Sequence, residues 1–84
     1  MLIDVLEVHP LADFQLDLVY ANGERRRFDM KGLLSVKPWQ SLRDPQVFQQ
    51  ARAEYGTVVW PGEIDIAPET LYDDSIVIEQ NSPR

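Results

Sequence analysis

The chain has no cysteine and a single histidine in 84 residues. Without cysteine there is no disulfide framework and no thiolate metal site, and the lone His9 has no second imidazole with which to hold a metal; at a strand end beside Pro10 it reads as a surface or cap residue. No apolar run approaches the roughly 20 residues of a membrane span, and MLIDVLEVHP lacks the basic and long apolar regions of a signal peptide. The expectation is a cytoplasmic protein with no membrane contact. Positive charge is scarce as well. Eight Lys and Arg face 14 Asp and Glu, a net charge of −6, which repels a phosphate backbone and disfavours direct nucleic-acid binding. Only Arg25-Arg26-Arg27 offers a local basic patch. The four glycines fit no phosphate-binding loop, and the serines stand in no nucleophile-elbow context. With so few catalytic groups the chain is expected not to be an enzyme and to need no cofactor.

What is present is enough for one thin core. The composition is 44% hydrophobic and 26% charged, which suits a folded domain, and a chain this short buries only about 60% of its unfolded surface. The reading is a single α+β domain over residues 1–75 with a short C-terminal tail, 76–84. Residues 2–8 form a strand with Ile3 and Val5 on one face and Leu2, Leu6 and Val8 on the other, as in a central strand. Residues 14–20 alternate cleanly, Phe14, Leu16, Leu18 and Tyr20 against Gln15, Asp17 and Val19. Asn22-Gly23 announces a hairpin. A two-residue loop would set Asp17 against Phe28, whereas a three-residue loop, Ala21-Asn22-Gly23, pairs Leu16 with Phe28, Asp17 with Arg27 and Val19 with Arg25; the second is expected, with Gly23 left-handed. Arg26 then falls on the apolar face, its stem along Tyr20 and its head in water.

Beyond Met30, Lys31 to Leu34 reads as a helical turn and Ser35 to Ser41 as a loop, with Trp39 and Leu42 inward. Asp44-Pro45 opens a short helix to about Ala51. Arg52–Tyr55 and Thr57–Trp60 make a second hairpin around Gly56, ended by Pro61-Gly62. Ile64 and Ile66 flank Asp65, and Pro68 starts a last helical turn carrying Leu71 and Tyr72. Ile76-Val77-Ile78 is either an edge strand or a linker end, and 81–84 should fray. The architecture expected is a small, mostly antiparallel sheet of two hairpins and an N-terminal strand, with two or three short helices.

The combination Val59-Trp60-Pro61, Ile64-Asp65-Ile66 and Pro68-Glu69-Thr70-Leu71-Tyr72 resembles a family of small bacterial proteins known as domain of unknown function 2442. Asn22-Gly23-Glu24, Phe28-Asp29, Leu33-Leu34 and Leu42-Arg43-Asp44-Pro45 into Phe48 extend the resemblance from about Val5 to Tyr72. One departure is local: relatives typically carry glycine two positions before the aspartate, where this chain has Glu63. The resemblance implies an α+β fold without an established activity. Some relatives join the domain to a C-terminal helix-turn-helix, and members are often encoded beside another small protein, an arrangement that suggests a paired system such as toxin and antitoxin.

The residues that could meet a partner are Trp39, Tyr55, Trp60, Glu63, Asp65 and Tyr72: aromatics suited to an interface and carboxylates that would speed encounter with a basic protein. Asp65 could instead accept backbone N–H bonds before the Pro68 helix. The functional expectation is a non-enzymatic interaction or accessory module whose partner is another protein, such as a genomic neighbour, with a homo-oligomer compatible. The alternatives are a small-molecule or metal-binding domain, using a concavity at Trp39, Tyr55 and Trp60 or the carboxylates between Glu63 and Asp74, and a regulator that reaches nucleic acid through a partner.

Overall fold

The computed structural model describes residues 3–80. Seven strands and two short helices follow in the order β1 Val5–Pro10, β2 Gln15–Tyr20, β3 Glu24–Asp29, α1 Pro45–Phe48, β4 Arg52–Glu54, β5 Thr57–Trp60, β6 Ile64–Asp65, α2 Pro68–Asp73 and β7 Ile76–Gln80. Single 3-10 segments at Lys31–Leu33 and Trp39–Arg43 lead into α1. This is an α+β fold, but it holds two antiparallel sheets where one was expected: four strands in the order β1-β2-β3-β7, and three in the order β4-β5-β6.

The β2–β3 register is the one that face matching selects. Leu16 lies opposite Phe28, Asp17 opposite Arg27 and Val19 opposite Arg25, and Gly23 takes a φ of +90°. Strand β1 departs from its expected place. It is an outer strand of its sheet, and a bulge at Leu6 resets its alternation, so that Val5 faces Tyr20 and Val8 faces Leu18. An extra residue in one strand of a pair shifts every later side chain to the other face. Val5 and Val8 therefore share the core side while Leu6 is exposed. Leu2 lies outside the described residues, as do 81–84.

Asp44 caps α1 through a 3.0 Å bond from the Gln46 N–H to its side chain, and α1 ends at Phe48, sooner than the Ala51 expected. Phe14 stands outside β2 with a φ of +57°; its carbonyl still accepts from the Met30 N–H at 2.9 Å, and its ring meets Phe48 edge-on. The core joins the inner faces of both sheets to the helices: Leu16, Leu18, Tyr20 and Phe28 from the larger sheet, Val58, Trp60 and Ile64 from the smaller, and Leu42, Phe48, Ile66 and Leu71 between them. Ile76-Val77-Ile78 belongs to an edge strand, β7, which pairs with β3.

Candidate functional site

Alternation along β5 decides what the smaller sheet shows to solvent. Val58 and Trp60 point inward and are buried, as is Ile64 opposite Trp60. The opposite face carries a cross-strand row in which Val59 lies between Arg52 and Asp65. Two turns frame this face. Tyr55-Gly56 joins β4 to β5 as a two-residue loop with positive φ at both positions, +56° and +77°, the requirement of the turn that matches strand twist. A Cβ at Gly56 would lie 2.6 Å from Asp4 Oδ1, the end of an exposed side chain that can turn aside, so the positive φ is what calls for glycine there. The second connection, Pro61-Gly62-Glu63, has Gly62 at +90° and Glu63 at +61°. Glu63 thus occupies a left-handed position, which explains locally why glycine suits this stretch of chain.

Between these turns lies an open groove of about 400 Å³, lined by Arg52, Glu54, Tyr55, Val59, Pro61, Glu63 and Asp65 with the edge of Trp60. Its chemistry is mixed. Tyr55 is 88% exposed and supplies an aromatic surface at the rim. Three carboxylates outnumber one cation, Arg52, which pairs with Glu54 at 3.1 Å. The sum favours an apolar group carrying positive charge.

Of the six residues singled out in the sequence, Tyr55, Trp60, Glu63 and Asp65 line this groove. Trp60 does so only at its margin: it is 2% exposed, it stacks near Phe48 and it donates from Nε1 to the Phe48 carbonyl at 3.0 Å. Trp39 is half-buried against the core and donates from Nε1 to the Asp65 carbonyl at 3.0 Å, bracing β6 from behind. The Asp65 side chain is exposed. It does not accept the expected backbone bonds before the Pro68 helix, because α2 has Ala67 at its N-cap and no side-chain cap; its place on the outer face of β6 turns the carboxylate away from those N–H groups.

Tyr72 belongs to a different constellation. Its hydroxyl donates to the Glu24 carboxylate at 2.9 Å, and the Arg26 guanidinium lies 4.0 Å from its ring centroid. Arg26 also donates to Glu24 Oε1 at 2.6 Å, to Ser75 Oγ, and to the Tyr72 and Ser75 carbonyls at 3.2 Å each. The expected exposed head is therefore wrong: the Arg26 side chain is 11% exposed and that of Glu24 14%. The physical reason is β7 and the end of α2, which close over the position where water was expected. Arg26 foremost, then the Tyr72 hydroxyl, holds Glu24 below the usual carboxylate range against the opposing effect of burial. Beside them the Tyr20 hydroxyl is buried and makes no hydrogen bond among the described residues; burial pushes its pKa up to about 12. Sequence reasoning missed this network. The one available signal was an arginine at an inward position of the alternation.

The rest of the arginine triplet is also engaged. Arg27 grips Asp17 at 2.7 and 3.1 Å, and Arg25 lies 3.5 Å from Glu79. Alternation splits the triplet between faces and each member meets a carboxylate, so no unopposed basic patch forms there. Among the described residues no three His, Asp or Glu side chains converge in a way that could hold a metal, and no helix is long and apolar enough to cross a membrane.

Neither a curated protein nor a solved structure matches the chain. A family model does, described as Protein of unknown function (DUF2442), over residues 5–76. That span runs from the first residue of β1 to the first of β7, taking in strands β1 to β6, both helices and the groove, and the chain accordingly belongs to the DUF2442 family.

Proposed function

We propose that this domain is a non-enzymatic protein-binding module of the cytoplasm, whose β4–β5–β6 groove receives an apolar, positively charged segment of another protein. The observation that carries the reading is Tyr55. An L-residue in left-handed conformation costs about 1 kcal/mol or more, and the favoured residues for this loop are asparagine, aspartate and glycine. Here a tyrosine takes the place, 88% exposed. Strain retained at a position that contributes almost nothing to the core points to a use for the side chain outside the fold. Tyrosine is among the residues that dominate binding energy at interfaces, and Glu54, Glu63 and Asp65 beside it add attraction for a basic partner that weakens with salt.

The protein encoded beside this one, a pairing that family resemblance suggests, is the first partner to test. The tagged chain is expressed in its own cells with that neighbour, cross-linked and recovered, in parallel with Tyr55→Ser. Recovery of the neighbour with the native chain, reduced at least tenfold with Tyr55→Ser and by high salt, is the expected result. Equal recovery with both chains would remove the groove from the interface, and native chain recovered alone would count against the module reading.

A further inference from the structure

We infer that β7 is a self-pairing edge, through which two copies of this chain join their four-stranded sheets across a twofold axis. Among the described residues, strand β7 is the terminal strand of its sheet and pairs only with β3. Its outer edge therefore offers unpaired backbone groups. The side chains along it are Ile76, Val77 and Ile78, exposed by 70%, 41% and 44%. Three consecutive β-branched apolar residues, uninterrupted by charge or proline, are the opposite of what an edge held apart from other strands carries.

The strand's own sequence argues for a second copy as the occupant. Opposed residues of an antiparallel pair share a face, so a twofold axis normal to the sheet must pass between one residue and the same residue of the other copy. Centred on Ile78, the pairing would set Val77 against Glu79. Centred on Val77, it sets Ile76 against Ile78 twice, apolar side chain against apolar side chain. Glu79 stays free to keep its contact with Arg25.

The arrangement also closes. Opposite Arg25 and Arg26 the register of β7 slips, leaving Ile78 as an extra residue between Val77 and Glu79, and this irregularity limits how far a second strand can follow the edge. At the far edge of the same sheet, the Val5 N–H already donates to the Gly56 carbonyl at 3.2 Å, and Pro10 has no N–H to offer. Because a twofold pairing uses the β7 edge of both chains, association through this edge stops at two. So short a contact falls below the roughly 1,200 Å² of a standard interface, and the dimer is concentration-dependent.

Sedimentation or light scattering on the full chain, from about 10 μM to about 1 mM, tests this. The native chain should move from one chain's mass toward two. Ile76→Lys, on an exposed side chain, should keep the native circular dichroism and melting and remain at one chain's mass. Ile76→Lys combined with Ile78→Glu sets opposite charges across the axis and should restore association, whereas Ile76→Lys with Ile78→Lys should not. One chain's mass for the native protein throughout the range, or association unaffected by Ile76→Lys, would overturn the inference. Failure of the Lys/Glu pair to recover what Ile76→Lys loses would overturn the Val77-centred pairing.

Discussion

Two tight hairpins in this molecule meet the same steric demand with different residues. At the β2–β3 tip, Gly23 takes the left-handed position, Asn22 accepts from the Glu24 N–H at 3.0 Å and donates to its carboxylate, and Glu24 is gripped by Arg26 and Tyr72. The polar side chains there are bonded within the tip and to the fold. At the β4–β5 tip a tyrosine occupies a left-handed position and projects into solvent. The first tip is built for stability and the second carries a side chain at a cost in stability. That cost, accepted at an exposed side chain, is what the proposed use of this surface rests on.

The largest effect should come from breaking the first tip. Arg26→Met removes the partner of a largely buried carboxylate, and loss of one member of such a pair costs about 3 kcal/mol, read as a lower urea midpoint. Adding Glu24→Gln to Arg26→Met should recover part of the loss, because no uncompensated charge then remains; two variants that merely add would disprove the coupling. The same pair makes stability depend on pH. Glu24 titrates below its ordinary value of 4.5 in the folded chain, so its contribution is complete above that value and is lost as pH falls through the lowered one. Asp17, lowered chiefly by its bond from Arg27, acts in the same direction. Chemical denaturation between pH 7 and pH 3 should show stability falling with acid, with a shallower fall for Glu24→Gln.

The second tip should respond in the opposite sense. Tyr55→Asn supplies the residue this loop prefers and should raise stability by about 1 kcal/mol while removing partner recovery. A variant that gains stability and still binds would separate the strain from the function. A variant that binds no longer and is also destabilised would show that Tyr55 supports the fold.

These tips also show what could be read from the sequence. The β2–β3 register was legible because clean alternation and Asn22-Gly23 leave a single loop length that matches apolar faces. The cap at Asp44 was legible because it is a local contact. The fate of Arg26 was not, since its burial depends on Tyr72 and Ser75, 46 and 49 positions away, and no periodicity near Arg26 announces a strand arriving from there. The division into two sheets is nonlocal for the same reason, and the bulge at Leu6 leaves no mark in a run that is apolar on both sides. Of the groove, its residues could be named but not its face: Glu63 and Asp65 stood out as carboxylates, whereas the place of Asp65 beside Val59 depends on the β5–β6 register.

Glu63→Gly is the smallest change and the sharpest on this point. Glu63 adopts a φ of +61°, where glycine avoids the clash of Cβ with backbone, worth about 1 kcal/mol. Glycine also adds freedom to the unfolded chain, which takes back about 0.4–1 kcal/mol, so the net gain in stability should be at most a few tenths. At Tyr55 the replacement is asparagine, which brings no comparable entropic loss, and its gain should be plainly larger. Glu63→Gly should at the same time weaken a basic partner by removing one of three groove carboxylates, an effect that vanishes at high salt. If binding drops equally at low and high salt, Glu63 acts through the shape of the Pro61-Gly62-Glu63 turn and not through its charge.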